Sequence, residues 1–536
     1  MQKTIALKLS PAQAADNLLI HAAIAGSLHI DVARIAGFDT LKKSIDARGK
    51  NIYINLTVIA FVDEPTHLPL AKSTTLGKPD FAFKNVENAE QSVIIVGAGP
   101  AGIFAALMLL EKGIKPIIIE RGKDVRARRR DLAMLNKTGI LEPDSNYCFG
   151  EGGAGTYSDG KLYTRSHKRG DINRILQLFI QFGAPQNIGY DAHPHIGTNK
   201  LPQIISAMHL HIISCGGLVL FEQKMVDIVH DNGAIKAIVT ADNKQHSAND
   251  YILATGHSAR DIFSLLQQKN ITIEAKPFAL GVRVEHPQQL IDSIQYHCSG
   301  SRNEYLPPAA YKLVQQVNGR GVFSFCMCPG GIVAPAATDH GELVINGWSP
   351  SKRNNPYANS GIVVQVCLAD ALSSLQQAGI HTHANDPLVF MKFQQLIEQK
   401  AYVAGGGKFA APAQRMQDFV QDKISTSLPK HSYIPGLTSV KLSTVLPAFI
   451  YQSLAEAFVL FGKKLKGYYS NEAVVIAVES RTSSPVRIPR QADNLQHPTL
   501  HNLYPCGEGA GYAGGIVSAA MDGERVACAI ANKYNK

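Results

Sequence analysis

Residues Val93-Ile-Ile-Val-Gly97-Ala-Gly99-Pro100-Ala101-Gly102 run from an apolar stretch into a glycine turn. An apolar helical stretch follows, and then Ile117-Ile-Ile-Glu120-Arg121. This order of parts can hold a dinucleotide. Gly97 permits the tight turn, Gly99 lets backbone approach a pyrophosphate, and Gly102 lets the helix lie close on the strand. The helix N-terminus, with Pro100 and Ala101 in its first turn, aims amide donors and a positive dipole end at phosphate oxygens. Glu120 comes about 20 residues after the turn, where a carboxylate accepts from ribose hydroxyls. The alternative is a glycine turn used only for packing.

Other residues bring different chemistry. Cys326 and Cys328 flank Met327, and on a strand i and i+2 share a face, so both sulfurs can point into one cavity. The reading we favour for them is two small buried core residues. Arg481 lies in the polar run Arg481-Thr-Ser-Ser484, and Arg283 precedes Glu285 and His286. Either cluster suits an acidic substrate, the cofactor, or a structural ion pair. A buried guanidinium needs a partner. No His/Cys spacing suggests a metal site.

These residues must be positioned by a chain of 536 residues, 45% hydrophobic and 18% charged, which is ordinary for two or three globular domains. No apolar run approaches a membrane span, the N-terminus does not read as a signal peptide, and the 8 cysteines are scattered. A reduced, cytoplasmic protein is expected. The net charge is +10, part of it from Arg121, Lys123, Arg126, Arg128, Arg129 and Arg130. We read these mainly as a solvated helix face, with Arg128 reserved for the cofactor; nucleic acid is a less favoured partner.

Residues 1–85 read as a small α+β unit. It would have a strand at Thr4–Lys8, a helix capped by Ser10 and running to about Ala25, a charged loop or helix end at Lys42–Arg48 and a strand at Asn51–Val62. Residues 64–90 read as a linker. Helices are expected at Asn173–Phe182, Leu201–Ser214, Gly361–Gln377 and Asp386–Glu398, and Asn232-Gly233 marks a hairpin.

Three segments together make the pattern specific: the Gly97–Gly102 turn with Glu120; Ala254-Thr255-Gly256; and Tyr504-Pro-Cys-Gly507-Glu508 leading to Gly514-Gly515-Ile516. In this order they resemble the FAD-binding fold of two-dinucleotide-binding-domain flavoproteins. More narrowly, Phe149–Leu162, Phe325–Gly331 and Glu479–Arg487 resemble a family of uncharacterised FAD-dependent dehydrogenases, and the likeness covers nearly the whole chain. It implies an α/β fold with a Rossmann-like FAD domain split between 90–275 and 480–536. It also implies an inserted mixed substrate domain at 276–479 and the N-terminal unit at 1–85. It implies non-covalent FAD held by Gly97 to Gly102, Glu120, Arg121 and Arg128. Gly152, Gly153 and Ala154 would lie along the flavin. Thr255 and Gly256 would form the crossing strand, Gly507 and Glu508 the Gly-acid pair, and Gly514, Gly515 and Ile516 the helix start at the pyrimidine end of the ring.

Gly509–Gly514 also spells GxGxxG but has no βαβ context and reads as a decoy. NAD(P)H is therefore expected only as a transient visitor. The leading expectation is a hydride-transferring oxidoreductase with Cys326, Cys328 and Arg481 lining the substrate cavity. The alternative is a flavoprotein acting as an RNA- or partner-binding protein, which a basic stripe on residues 1–85 would favour.

Overall fold

The computed structural model describes residues 1–65, 81–164 and 170–535, so most of the expected linker lies outside the described residues. At its centre is a five-stranded parallel sheet in the order Leu503–Pro505, Asp250–Leu253, Ser92–Val96, Lys115–Ile119, Leu218–Leu220. Short apolar runs form these strands because both sheet faces are covered, so every second residue need not be polar. The helices Pro100–Lys112 and Ile516–Tyr534 pack against each other beside it. Gly523 makes that crossing possible, since a Cβ there would collide with the carbonyl of Ala101. Residues about 420 positions apart in sequence thus meet at one end of the sheet, as the split-domain resemblance requires. The hairpin Met225–Asp231 and Ala234–Thr240 turns at Asn232 and Gly233, both at positive φ.

A second, seven-stranded sheet gathers chain from 279 to 479. Its order is Val314–Val317, Arg320–Cys328, Tyr357–Gln365, Ala279–Pro287, Val474–Glu479, Ala411–Arg415, Leu437–Ser439, antiparallel except for the last pair. The helix Ala448–Lys464 buries Ile450, Leu454, Phe458 and Phe461 in the core beneath it.

The N-terminal unit is a three-stranded antiparallel sheet of Gln2–Leu9, Tyr53–Val62 and Ile35–Asp46 with one helix, Asn17–Leu28. Two expectations are corrected here. Ser10 Oγ accepts from Gln13 N at 3.3 Å beside a short 3-10 turn and caps no helix, while Asp16 caps the helix by accepting from Leu18 N at 2.8 Å. Lys42–Arg48 is largely strand, because pairing with Tyr53–Val62 supplies the backbone partners that charged side chains do not need. The cross-strand register puts Lys8 and Lys42 on the same sheet face as Asp39 and Asp46, so among the described residues that face is mixed in sign and forms no basic stripe.

A third correction concerns Gly361. Residues Tyr357–Gln365 form a central strand, and the helix begins only at Leu368. A short buried apolar run looks alike in a strand and a helix, and only its neighbours decide. Among the described residues no helix is long and apolar enough to cross a membrane.

Candidate functional site

The loops at the carboxyl ends of the parallel strands open on a cleft of about 310 Å³. One wall is the Gly97–Ala101 turn. Opposite lie Thr255 and Gly256, Glu508, and the start of the last helix from Gly514 to Ala519. The remaining wall comes from the segment Gly153 to Thr164 and, across from it, Phe325, Cys326, Cys328, Asn346 and Arg481.

Two glycines show why this turn exists. Gly97 has φ +107°, and a Cβ on it would lie 2.5 Å from Ala254 O; a Cβ on Gly102 would collide with Gly97 O. The helix that follows has Gly99 as its N-cap with no side-chain cap, and the last helix has Gly515 in the same state. Two sets of helix-start amides therefore face one cleft, an arrangement that favours anionic groups.

Glu120 is buried at the bottom of the turn. Its carboxylate accepts from Ala98 N at 2.8 Å, Gly122 N at 2.9 Å and Gly150 N at 2.9 Å. A carboxylate has about four acceptor positions, so one remains for a hydroxyl. The open space at Gly256, Gly514 and Gly515, where a Cβ would meet nothing within 4 Å, completes a cradle of the right kind for a dinucleotide. Helix-start amide donors for phosphate and a carboxylate acceptor for ribose are the groups FAD requires.

Several predicted contacts turn out to be structural. Arg128 is fully buried and gives its donors to the carbonyls of Asn146, Tyr147, Gly150, Glu151 and Gly153, at 2.7–3.2 Å. No donor is left for a phosphate, and Arg128 does not line the cleft; it folds the loop that does. Arg121 lines the cleft but pairs with Asp144 and Asp261, both at 2.8 Å, and stacks on Phe149. Gly102, Gly152 and Gly507 sit behind the wall: Gly152 N donates to Ala98 O and Gly507 N to Asp522 Oδ2, both at 2.8 Å. Asp522 in turn holds Arg490 at 2.6 Å, which ties the Gly507 turn to the last helix. Glu508 reaches the cleft, with Oε1 3.7 Å from His257 Nδ1. In the decoy turn, Gly509 packs against Gly256.

Arg481 faces the cleft, but its charge is met by protein rather than left for a ligand. It donates to Glu398 at 3.1 Å and to Thr338 at 2.7 Å, and lies 3.5 Å from Glu342. Arg260 pairs with the same two acids at 2.7 and 2.8 Å. Burial works to raise Glu398, but Arg260 and Arg481 outweigh it and hold it at about 2. Glu342 is raised by burial and by Glu398 beside it. Arg283 is likewise spoken for, by Glu479 at 2.8 Å and Asn359 at 2.7 Å.

Cys326 and Cys328 both line the cleft, though not through simple strand alternation. The register breaks between Phe325 and Cys328, and Cys326 has φ +43°. Cys326 is accessible within the cleft, not on the outer surface, and burial pushes its thiol up to about 11; burial raises Cys328 as well. Both are protonated at neutral pH and are poor nucleophiles there.

The sequence reading passed over Asp159 and Lys161, which stand in the same glycine-rich segment. Lys161 Nζ donates to Met327 O, and Asp159 Oδ2 lies 3.7 Å from it. The signal was present as an acid and a base inside Ser158-Asp-Gly-Lys161, a run otherwise made of small residues. His257 and Asn346, also on the lining, carried no such signal.

Family comparisons agree with this geometry. Residues 90–142 match an FAD binding domain, and residues 277–482 match the C-terminal domain-like region of an FAD-dependent protein. Residues 1–61 match a domain of unknown function. An uncharacterised protein of Clostridium beijerinckii is 39% identical over 527 residues, 96% of this chain and 95% of that protein. Among solved structures, a geranylgeranyl bacteriochlorophyll reductase-like protein of Thermoplasma acidophilum overlays with TM-score 0.35 at 12% identity, covering 83% of this chain and 80% of that one. A salicylate hydroxylase substrate complex overlays with TM-score 0.33 at 12% identity, covering 82% and 78%. The two structural overlays are distant, and the family rests on the sequence matches. The chain belongs to the family it shares with the Clostridium beijerinckii protein, a family of FAD-dependent proteins.

Proposed function

We propose that this protein is a dehydrogenase that moves a hydride between FAD and a small organic substrate bound in the cleft. When bound, FAD supplies the two-electron chemistry. The chain's own residues position and polarise. The Gly97–Ala101 turn and Glu120 would hold the pyrophosphate and ribose. The amides from Gly515 onward would face the pyrimidine end of the ring and stabilise the negative charge that reduction places there. Gly153 and Ala154 would run along the ring, and Arg128 keeps their loop closed from behind. The two thiols, protonated and deep, would shape the substrate wall and take no electrons.

One observation carries this reading. Two uncapped helix N-termini, from segments far apart in sequence, share a single cleft whose remaining lining includes Phe325, Cys326 and Cys328 of the second sheet. A site for FAD alone has no need of the Phe325–Cys328 and Asn346 wall; a site for FAD and a reactant does. The Asn346 and Cys148 region leads on to a side cavity of about 30 Å³ lined by Tyr157 and Trp348, which would extend the substrate space.

The test is anaerobic. The purified protein should show flavin absorbance and release FAD on denaturation. Photoreduced protein should then be reoxidised, or oxidised protein reduced, by some members of a panel of small organic metabolites. Oxygen-dependent hydroxylation of a substrate, with no anaerobic half-reaction, would replace the dehydrogenase reading with a hydroxylase one.

A further inference from the structure

We infer that the substrate end of the cleft recognises a carboxylate, and that the Lys161 ammonium is the group that selects it. The inference rests on the proposed function only in taking the Gly153–Thr164 and Phe325–Cys328 walls as the substrate end.

Each guanidinium lining or backing this part of the cleft has carboxylate partners within the protein: Arg481 has Glu398 and Glu342, and Arg283 has Glu479. Lys161 is different. Its nearest acid, Asp159, sits 3.7 Å away and is taken by Arg353 at 2.7 Å through the same oxygen, Oδ2. Lys161, Arg353 and Asp159 together sum to one positive charge. Among the described residues no other titratable group around them cancels it. His195 is lowered to about 4 by burial and by Arg353, so it is neutral, and burial and Arg353 lower His193 as well. The two thiols are neutral. Among the described residues, then, the substrate end holds one cation in excess.

That cation is also placed for use. Lys161 Nζ is anchored by one hydrogen bond to Met327 O, in the bulge between the two cysteines, and its side chain keeps 35% of its exposure. An ammonium has three donors. The anchor uses one and fixes the direction of the others. An ammonium partly withdrawn from water is better held with an anion beside it, and the nearest carboxylate in the protein, Asp159, already shares its Oδ2 with Arg353. A substrate carboxylate in the cleft would complete the charge.

The experiment uses the full-length protein loaded with FAD and reads the flavin absorbance, not turnover. Propionate and benzoate are titrated beside propionamide and benzamide, which match them in shape and lack the charge. The expected result is a saturable spectral change with at least one carboxylate, at a concentration about tenfold or more below that of its amide. In Lys161→Met the preference for the carboxylate disappears while FAD stays bound; in Lys161→Arg it is partly kept. Equal affinity for acid and amide, no response to either acid, or an unchanged preference in Lys161→Met would overturn the inference. So would a Lys161→Met protein whose flavin spectrum shifts without ligand while its carboxylate preference is intact, since Lys161 would then act on the ring. Carboxylate binding in a protein that no organic compound reduces or reoxidises would refute the dehydrogenase reading and leave the anion site standing. Redox turnover that ignores the charge at 161 would do the reverse.

Discussion

Replacing Glu120 with Gln isolates the most informative hydrogen bonds in the site. The side chain keeps its size, and three backbone amides, from Ala98, Gly122 and Gly150, keep pointing at it from 2.8–2.9 Å. A carboxamide has one acceptor oxygen where the carboxylate had two. Its cheaper orientation leaves the oxygen on Gly122 and Gly150, which share Oε1 in the native site, and turns the NH2 toward Ala98 N–H. One charge-assisted bond is lost, two are weakened, and one buried donor faces another. With about 1.5–3 kcal/mol for a hydrogen bond to a charged group, the total is about 3 kcal/mol. That total is lost from the turn itself; FAD also loses the carboxylate acceptor left for a ribose hydroxyl, about 1.5–3 kcal/mol, so its affinity should fall about ten- to a hundredfold at about 1.4 kcal/mol per factor of ten. FAD titration of the apoprotein reads the affinity, and hydrogen exchange at the Gly122 and Gly150 amides reads the turn directly. Glu120→Ala leaves all three amides unpaired and should be worse than Gln on both measures. If Glu120→Gln binds FAD as tightly as the native protein, with unchanged exchange, the hydrogen-bond account of this turn is wrong.

Three further outcomes are expected. Gly102→Ala drives a Cβ into Gly97 O, backbone against backbone, so FAD content on purification should fall to near zero while the second sheet remains folded by near-UV circular dichroism. Arg481→Met removes one of two cations from the Glu342–Glu398 pair and should destabilise the protein by about 3–5 kcal/mol in denaturant unfolding; adding Glu398→Gln should recover part of that loss, and no recovery would mean the charge is not the reason. Glu285 is raised by burial from 4.5 to about 7. The folded state then holds a proton that the unfolded state has released, so stability should fall as pH rises from 4.5 to 7, by a total on the order of 3 kcal/mol. Glu285→Gln should flatten that part of the stability profile.

Much of the cofactor half was legible because its signals are local. A glycine turn between a strand and a helix needs only a dozen adjacent residues to be recognised, and Gly97, Gly99, Glu120, Thr255 and Gly514 all stand on the cleft wall. Glycine at 97 and 102 is a backbone requirement, and backbone requirements are written at single positions. Side-chain partnerships are not. The flavoprotein resemblance assigns Arg128 to the cofactor phosphates; in the structure five backbone carbonyls take its donors instead, and the sequence carries no mark of them. Arg481 was read toward a ligand because a buried guanidinium needs a partner, and found Glu398, 83 residues away. Gly361 was read as helical because periodicity over a few apolar residues does not separate a central strand from a buried helix.

By itself, then, the sequence determined the dinucleotide turn, the distant glycine segments that meet at one cleft, and the class of cofactor. These depend on main-chain geometry that only certain residue types allow. The tertiary structure alone decided which charges are spent and which remain. Arg121, Arg128, Arg283 and Arg481 are neutralised or saturated by partners brought from other elements, while Lys161 shares its one acid with Arg353. The physical reason is that a charge's worth in a cleft depends on every other charge within a few ångströms, and that neighbourhood exists only after the parallel sheet and the seven-stranded sheet have closed over it.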